Sequence, residues 1–151
     1  MSILKVALIN DEAIMPDRAH SNDSWIDFYV PDSKDYTIAP SESVKIPLGV
    51  KALIPKGFDL TFTNKSGIAS KTGLIVWACL IDVWYTWELI VNLINTSDDD
   101  VVISAWQKIV QWVIRPIEYS EVQEFTLEDF ATEEAKTHTT RWDKWFGSTW
   151  V

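Results

Sequence analysis

The sequence is poor in cysteine and has no long apolar run. Its one cysteine, Cys79, can form neither an internal disulfide nor a thiolate metal site, which is typical of a reducing compartment. No apolar run approaches the roughly 18 residues that a membrane span needs, and no secretory leader is recognisable at the start. We therefore expect a cytoplasmic protein with no membrane partner.

Positive charge is scarce as well. Thirteen Lys and Arg face 22 Asp and Glu, which gives a formal net charge of −9. A protein that binds along a nucleic-acid backbone carries a basic face, so we expect no nucleic-acid partner. A small polyanionic ligand would require a local group of cations or a divalent cation that bridges it to the protein.

The pattern of apolar residues predicts an all-β fold in a single domain. Short strands recur every eight to twelve residues between Pro and Gly punctuation, and Phe58, Leu60 and Phe62 alternate with polar residues. The predicted strands are 3–9, 26–30, 44–46, 50–54, 58–62, 89–95, 101–103 and 108–114. One short helix is expected over 66–72, ended by Gly73. Apolar content falls near the C-terminus, where 131–151 is expected to be a mobile arm.

A turn-like stretch at 81–89 carries a candidate general base. Asp82 stands at its start and Tyr85 three residues later, so one side chain could activate a water while the other packs against a ligand ring. The alternative is a surface turn with a solvated carboxylate.

Three further places could bind phosphate. Lys65, Ser66 and Gly67 offer a cation, a hydroxyl and backbone N–H groups at the predicted helix N-terminus. Arg141 and the segment 146–149 offer a guanidinium, two hydroxyls and more N–H groups. Gln111 is a polar residue in an apolar strand. Each has a structural alternative, such as a simple turn or a satisfied core amide.

Taken in order, five segments resemble the five motifs of the trimeric dUTPase family. They are 24–28, 65–69, 77–88, 106–111 and 141–150. Lys65 stands where the family has Arg. The resemblance implies a β jelly-roll of the β-clip type, with a β domain over 1–136 and a C-terminal arm over 137–151. It also implies a homotrimer whose active sites lie at subunit interfaces, each closed by a neighbour's arm.

The implied reaction is the hydrolysis of dUTP to dUMP and pyrophosphate, with Mg²⁺ held by the phosphates and water rather than by protein ligands. By position, Asp82 would activate the water, Tyr85 would pack under the deoxyribose, and Asp27 would support the site indirectly. The other implied substrate contacts are Lys65, Ser66, Gly67, Cys79, Leu80, Ile81, Gln111, Arg141, Phe146, Gly147, Ser148 and Thr149. The alternatives are a dCTP deaminase of the same fold, against which the Tyr85 turn and the Arg141 arm argue, and a non-catalytic relative that binds a nucleotide or a protein.

Glycine is rare and tryptophan unusually common, with five glycines and nine tryptophans. Seven tryptophans occupy places where the family motifs have glycine, namely Trp25, Trp77, Trp87, Trp106, Trp142, Trp145 and Trp150. Trp84 stands where Gly or Asp is frequent, and Trp112 lies outside these places. Motif glycines permit positive φ or close approach to a ligand, and Trp permits neither. We hypothesise that these tryptophans are UGA codons from a genetic code that reads UGA as glycine; deliberate substitution is the alternative. The activity is expected of the form with glycine at the motif positions.

Overall fold

The computed structural model describes residues 3–31 and 34–136. Internal contacts divide the chain into two units, Met1–Glu118 and Tyr119–Val151. The first unit contains eleven strands and one short helix, which confirms the all-β prediction. The predicted boundary between the β domain over 1–136 and the arm over 137–151 stays a prediction, because the arm lies outside the described residues.

The described part of the first unit consists of strands in succession, with the helix α1 between the sixth and the seventh strand. Their bounds are β1 Lys5–Leu8, β2 Ile26–Tyr29, β3 Tyr36–Ile38, β4 Ser43–Pro47, β5 Val50–Leu53, β6 Phe58–Asn64, α1 Ser66–Thr72, β7 Leu74–Ala78, β8 Leu80–Ile81, β9 Ile90–Asn95, β10 Val101–Ile103 and β11 Lys108–Pro116. Each predicted strand has a counterpart here. Three strands, β3, β7 and β8, were not predicted. Of these, β3 and β8 have only three and two residues, which carry too little periodicity to read.

All strand pairs are antiparallel and form four small sheets. A four-stranded sheet has the order β2-β11-β6-β8, and a three-stranded sheet has the order β4-β9-β7. The remaining sheets are the pairs β1-β5 and β3-β10. The four-stranded sheet positions the candidate site, because β2, β6 and β11 carry or lead into three of the five motifs.

The inner face of that sheet is aromatic. Phe28, Phe62 and Trp112 come from three adjacent strands and are each 1% exposed or less. Their rings meet edge to face or stacked, with centroids 4.5 to 5.8 Å apart. Such burial contributes about 25 cal/mol for each Å² of apolar surface removed from water. This packing fixes β2, β6 and β11 relative to one another.

The helix α1 ends as predicted. Gly73 has φ of 72°, and its N–H donates to the carbonyl of Ala69, as at a left-handed C-cap. A Cβ on Gly73 would lie 3.1 Å from Ser97, a tight contact, and the positive φ itself favours glycine.

The second unit contains a helix that was not predicted. Helix α2 spans Leu127–Lys136, and its second half overlaps the start of the segment 131–151 that we expected to be a mobile arm. The Thr126 hydroxyl accepts from the Asp129 N–H, as an N-cap side chain does, and donates to the Asp129 carboxylate. The spacing of Thr126 and Asp129 was the signal that could have revealed it. No helix among the described residues is long and apolar enough to cross a membrane.

Candidate active site

Asp27 is the centre of a polar cluster on the four-stranded sheet. It alternates with core residues on β2, as predicted, yet it is itself only 4% exposed. Three side chains donate to its carboxylate: Lys65 Nζ at 2.9 Å and Gln111 Nε2 at 3.1 Å to Oδ1, and Lys108 Nζ at 2.9 Å to Oδ2. The structure thus brings together Asp27, Lys65 and Gln111, which lie in three separate sequence motifs.

The donors keep Asp27 charged in spite of its burial. Burial raises the pKa of a carboxyl group, but hydrogen bonds from Lys108, Lys65 and Gln111, aided by the charge of Lys65, hold the pKa of Asp27 below its usual 3.8. A buried carboxylate with this many donors acts as a fixed anion that orients the cations around it.

Lys108 is held from three directions. Its Nζ also lies 3.3 Å from Asp17 Oδ1 and 5.2 Å from the centre of the Tyr29 ring, and Tyr29 donates its hydroxyl to the same Asp17 oxygen at 2.8 Å. Hydrogen bonding to Asp27 raises the pKa of Lys108 well above its ordinary value, so this lysine is charged at every physiological pH. Asp17 also forms an isolated backbone bridge with Asp27.

The predicted phosphate-binding segment begins α1. Lys65 is the N-cap residue, and no side chain caps the helix there. Ser66 and Gly67 are exposed, and the space beside Gly67 is open. The first N–H groups of a helix lack intrahelical partners, so this turn presents donors next to the Asp27 cluster.

The predicted catalytic stretch forms a tight turn after β8. Asp82 is exposed, and its carbonyl accepts the N–H of Tyr85 at 3.0 Å. The Tyr85 hydroxyl donates to the carbonyl of Glu88 at 2.8 Å, and the Glu88 carboxylate accepts the N–H of Gly49 at 2.9 Å. These bonds close the turn and tie it to the segment between β4 and β5.

The three residues expected to read uracil precede this turn. Cys79 and Leu80 are exposed and Ile81 is partly buried. The Cys79 carbonyl accepts the N–H of Phe62 at 2.8 Å, and Ile81 pairs with Leu60. The segment is therefore fastened to β6 by its backbone while its outer side remains open.

The two halves of the predicted site lie at opposite ends of β6. Asp82 follows Ile81, which pairs with Leu60 near the start of the strand, whereas Lys65 follows the last residue of the strand. A strand rises about 3.3 Å per residue, so roughly 20 Å separates these ends. One chain does not bring Asp82 close to the Asp27 cluster.

Five predicted site residues lie outside the described part of the chain. They are Arg141, Phe146, Gly147, Ser148 and Thr149. Within the described part, no group of three or more His, Cys, Asp or Glu side chains could hold a metal ion. Both Asp27 oxygens are already engaged by nitrogen donors.

Sequence reasoning missed Lys108, Asp17 and Tyr29. Lys108 had a signal, because it occupies the basic position of the segment that resembles the fourth motif. Asp17 and Tyr29 had none, since the first lies in a loop and the second on a strand, 12 residues apart.

The described tryptophans divide into two groups. Trp25, Trp77, Trp84, Trp87 and Trp106 are between 41% and 83% exposed, whereas Trp112 is fully buried. Among described residues, positive φ at a motif tryptophan occurs at Trp106, with φ of 68°. Trp77 lies at a register shift between Val76 and Ala78, but its φ is not positive. Backbone strain therefore argues for a native glycine at position 106. Exposure is the argument for a native glycine at positions 25, 77, 84 and 87.

Comparison with known proteins identifies the family. The family model described as dUTPase matches residues 11–150. The deoxyuridine 5′-triphosphate nucleotidohydrolase of Clostridium novyi is 32% identical over 150 residues, which is 98% of this chain and 99% of that protein. The protein of the same name from Hydrogenobaculum is 33% identical over 148 residues, covering 97% and 96% of the two chains.

Solved structures agree with this match. A variant of the Staphylococcus bacteriophage 80alpha dUTPase with dUpNHpp superposes with a TM-score of 0.83 at 26% identity and full coverage of both chains. A variant dUTPase from phage phi11 of S. aureus, described with a structural Mg(II) ion, gives 0.75 at 25% identity and covers 82% of this chain and 97% of its own. The jelly-roll prediction is thereby confirmed. By fold, by motif order and by sequence, the protein belongs to the dUTPase family.

Proposed function

We propose that this dUTPase hydrolyses dUTP to dUMP and pyrophosphate at a site built from the Asp82 turn and the Asp27 cluster. The activity is that of the family to which the chain belongs. The observation that carries the assignment of residues is the direct linkage of Lys65 and Gln111 to one buried carboxylate, Asp27. Two side chains from distant motifs, both able to donate hydrogen bonds to phosphate, are held there side by side.

Asp82 activates the attacking water. As the water oxygen bonds to phosphorus, Asp82 accepts a proton, the bond between the α- and β-phosphates breaks, and pyrophosphate leaves. The exposed position of Asp82 on a turn closed by Tyr85 and Glu88 supports this role, since the carboxylate faces open space on a rigid support. Tyr85 packs under the deoxyribose, and backbone groups at Cys79, Leu80 and Ile81 read the uracil edge.

The α1 end of the site binds the phosphates. Ser66 and Gly67 offer a hydroxyl and N–H groups, and Lys65 and Gln111 offer a cation and an amide. Arg141, Ser148 and Thr149 clamp the γ-phosphate from the arm, Gly147 contacts the substrate there, and Phe146 stacks on uracil. Such a site works by positioning and charge neutralisation, which is what phosphoryl transfer requires.

The site is completed by a second copy of the chain in a homotrimer. The roughly 20 Å between the two ends of β6 supports this arrangement, because a single chain then carries half of each of two sites. In a closed ring of identical subunits, the Asp82 end of one chain meets the Lys65 end of the next.

Mg²⁺ fits this site as an ion bound to the substrate phosphates and water. Both Asp27 oxygens already accept from nitrogen donors, and Mg²⁺ characteristically keeps several waters and binds through substrate phosphates. When bound, it neutralises charge on the phosphates.

We infer further that the native protein has glycine at the motif tryptophans. The positive φ of Trp106 and the exposure of Trp25, Trp77, Trp84 and Trp87 support this inference. The proposed activity is that of the glycine form.

The test compares dUTP, dCTP and UTP as substrates of the protein with glycine at these positions. Pyrophosphate release from dUTP alone is the expected result. Ammonia release from dCTP would instead indicate a deaminase, and binding of dUTP without turnover would indicate a non-catalytic relative. Either of these outcomes would overturn the proposal.

A further inference from the structure

Lys65 and Gln111 both donate to one oxygen of Asp27. If they turn toward a phosphate, Asp27 requires a further cation to remain charged and in place. Both donate to Oδ1, at 2.9 and 3.1 Å. When either group turns toward a phosphate, the contact with Asp27 weakens. A carboxylate that is 4% exposed then needs another partner to remain charged and in place.

Lys108 is placed to be that partner. Its Nζ donates to the other oxygen, Oδ2, at 2.9 Å. This hydrogen bond is the largest cause of the raised pKa of Lys108. It is also tethered on its far side, by Asp17 at 3.3 Å and by the face of the Tyr29 ring. Lys65 shows no comparable second tether in the described chain, so it is the freer of the two lysines.

We propose that Lys108 is a positioning residue, which fixes Asp27 from the Oδ2 side so that Lys65 and Gln111 can exchange Asp27 for substrate phosphate without losing their alignment. Asp17 and Tyr29 hold Lys108 in this role. The inference rests on the proposed phosphate-binding role of Lys65 and Gln111.

The experiment compares Lys108→Met and Lys108→Arg in the glycine form, with Lys51→Met on the exposed side of β5 as control. Lys108→Met should raise KM for dUTP by roughly 10- to 100-fold with a smaller change in kcat, because misplaced donors lose ground-state phosphate contacts. Lys108→Arg, which keeps the charge, should recover most of this loss, and Lys51→Met should change nothing.

A double variant separates positioning from general stability. If Lys108 acts through Asp27 on Lys65 and Gln111, then adding Lys108→Met to the double variant Lys65→Met/Gln111→Ala should change its KM little. Unfolding curves establish that each variant is folded during the assay. A further large rise in KM when Lys108→Met is added to Lys65→Met/Gln111→Ala, or an unchanged KM in folded Lys108→Met, would overturn the inference.

The proposed phosphate site fails in a different way. If Lys65→Met and Gln111→Ala both left KM unchanged, the phosphate role and the inference would fail together. If these two variants raised KM and Lys108→Met did not, the phosphate role would stand and the positioning role of Lys108 would fall.

Discussion

Trp112 packs edge-on against Phe28, with ring centroids 4.5 Å apart and ring planes at 87°. It also stacks on Phe62 at 5.8 Å and 19°, and none of its surface is exposed. These contacts set Trp112 apart from the exposed motif tryptophans. They agree with the location of Trp112 away from the motif positions where the family has glycine, and they indicate that this tryptophan is native.

Trp112→Gly should therefore be strongly destabilising. Removing a buried aromatic side chain costs about 3–5 kcal/mol even when Ala replaces it, and glycine adds a backbone penalty. Trp112→Phe should be much milder, since it keeps a ring and removes an indole N–H that has no partner in the described structure. Urea unfolding measures both, with Trp84→Gly, at a position 83% exposed, as control. Equal losses in the free energy of unfolding for Trp84→Gly and Trp112→Gly would contradict this assignment of Trp112 to the core.

Trp106→Gly should stabilise the protein. A non-glycine residue held at φ of 68° costs on the order of 1–3 kcal/mol, and glycine removes that cost. Trp106→Ala is the matched comparison, because alanine also lacks the indole but retains the Cβ that disfavours positive φ. The glycine variant should unfold at a higher urea concentration than the alanine variant. If alanine were equally stabilising, the gain would come from loss of the exposed ring and not from the backbone.

Asp27 should contribute stability that disappears in acid. Its folded pKa lies below the ordinary 3.8, so the contribution is complete above about pH 4 and is lost as the pH falls from there toward the folded pKa. Asp27→Asn leaves Lys65 and Lys108 without their anion and should be strongly destabilising at neutral pH. The gap between the wild-type protein and this variant should narrow at low pH, as measured by urea unfolding across the acid range. Asp98→Asn, in an exposed turn, is the control; a constant gap would argue against a lowered pKa at Asp27.

Much of the fold was predictable because its signals are local. Alternation at Phe58, Leu60 and Phe62 marked β6, and Gly73 marked the end of α1. Helix α2 was missed because its acidic composition resembled a solvated tail, although the Thr126 hydroxyl accepts the Asp129 N–H in the manner of an N-cap. Local pattern is a good guide to elements that carry their own start and stop signals.

The candidate site was predictable only in part, because its geometry depends on long-range pairing. The resemblance to the family implied roles for Asp27, Lys65 and Gln111, but the direct bonds among them arise where β2 meets β11 and the end of β6. The place of Lys108 in that cluster required the same pairing. Likewise, no sequence pattern revealed that Asp82 and Lys65 lie at opposite ends of one strand.

Asp82→Asn should abolish most turnover while leaving binding largely intact. In the glycine form, the amide keeps the shape of the side chain but cannot accept the proton from water, so kcat should fall by roughly 10²–10⁴. Affinity for a non-hydrolysable dUTP analogue, measured by calorimetry, should change little. Asp98→Asn should behave like the wild-type protein in both assays. Near-normal kcat in Asp82→Asn would remove this residue from its assigned role.

Co-expression of two impaired variants should restore kcat/KM in part if each site is shared between chains. Asp82→Asn retains a normal Lys65 end, and Lys65→Met retains a normal Asp82 turn, so a mixed oligomer contains some interfaces where both halves are intact. With random assembly of a cyclic oligomer, about one quarter of the sites would be complete. Each variant expressed alone should show far less activity, and two differently tagged copies of Asp82→Asn give the matched control. Each mixed trimer that passes tandem purification contains one complete site of three, so about one third of the wild-type kcat/KM is expected from this fraction. If the site lay within one chain, every subunit would carry one defect, and mixing would restore nothing.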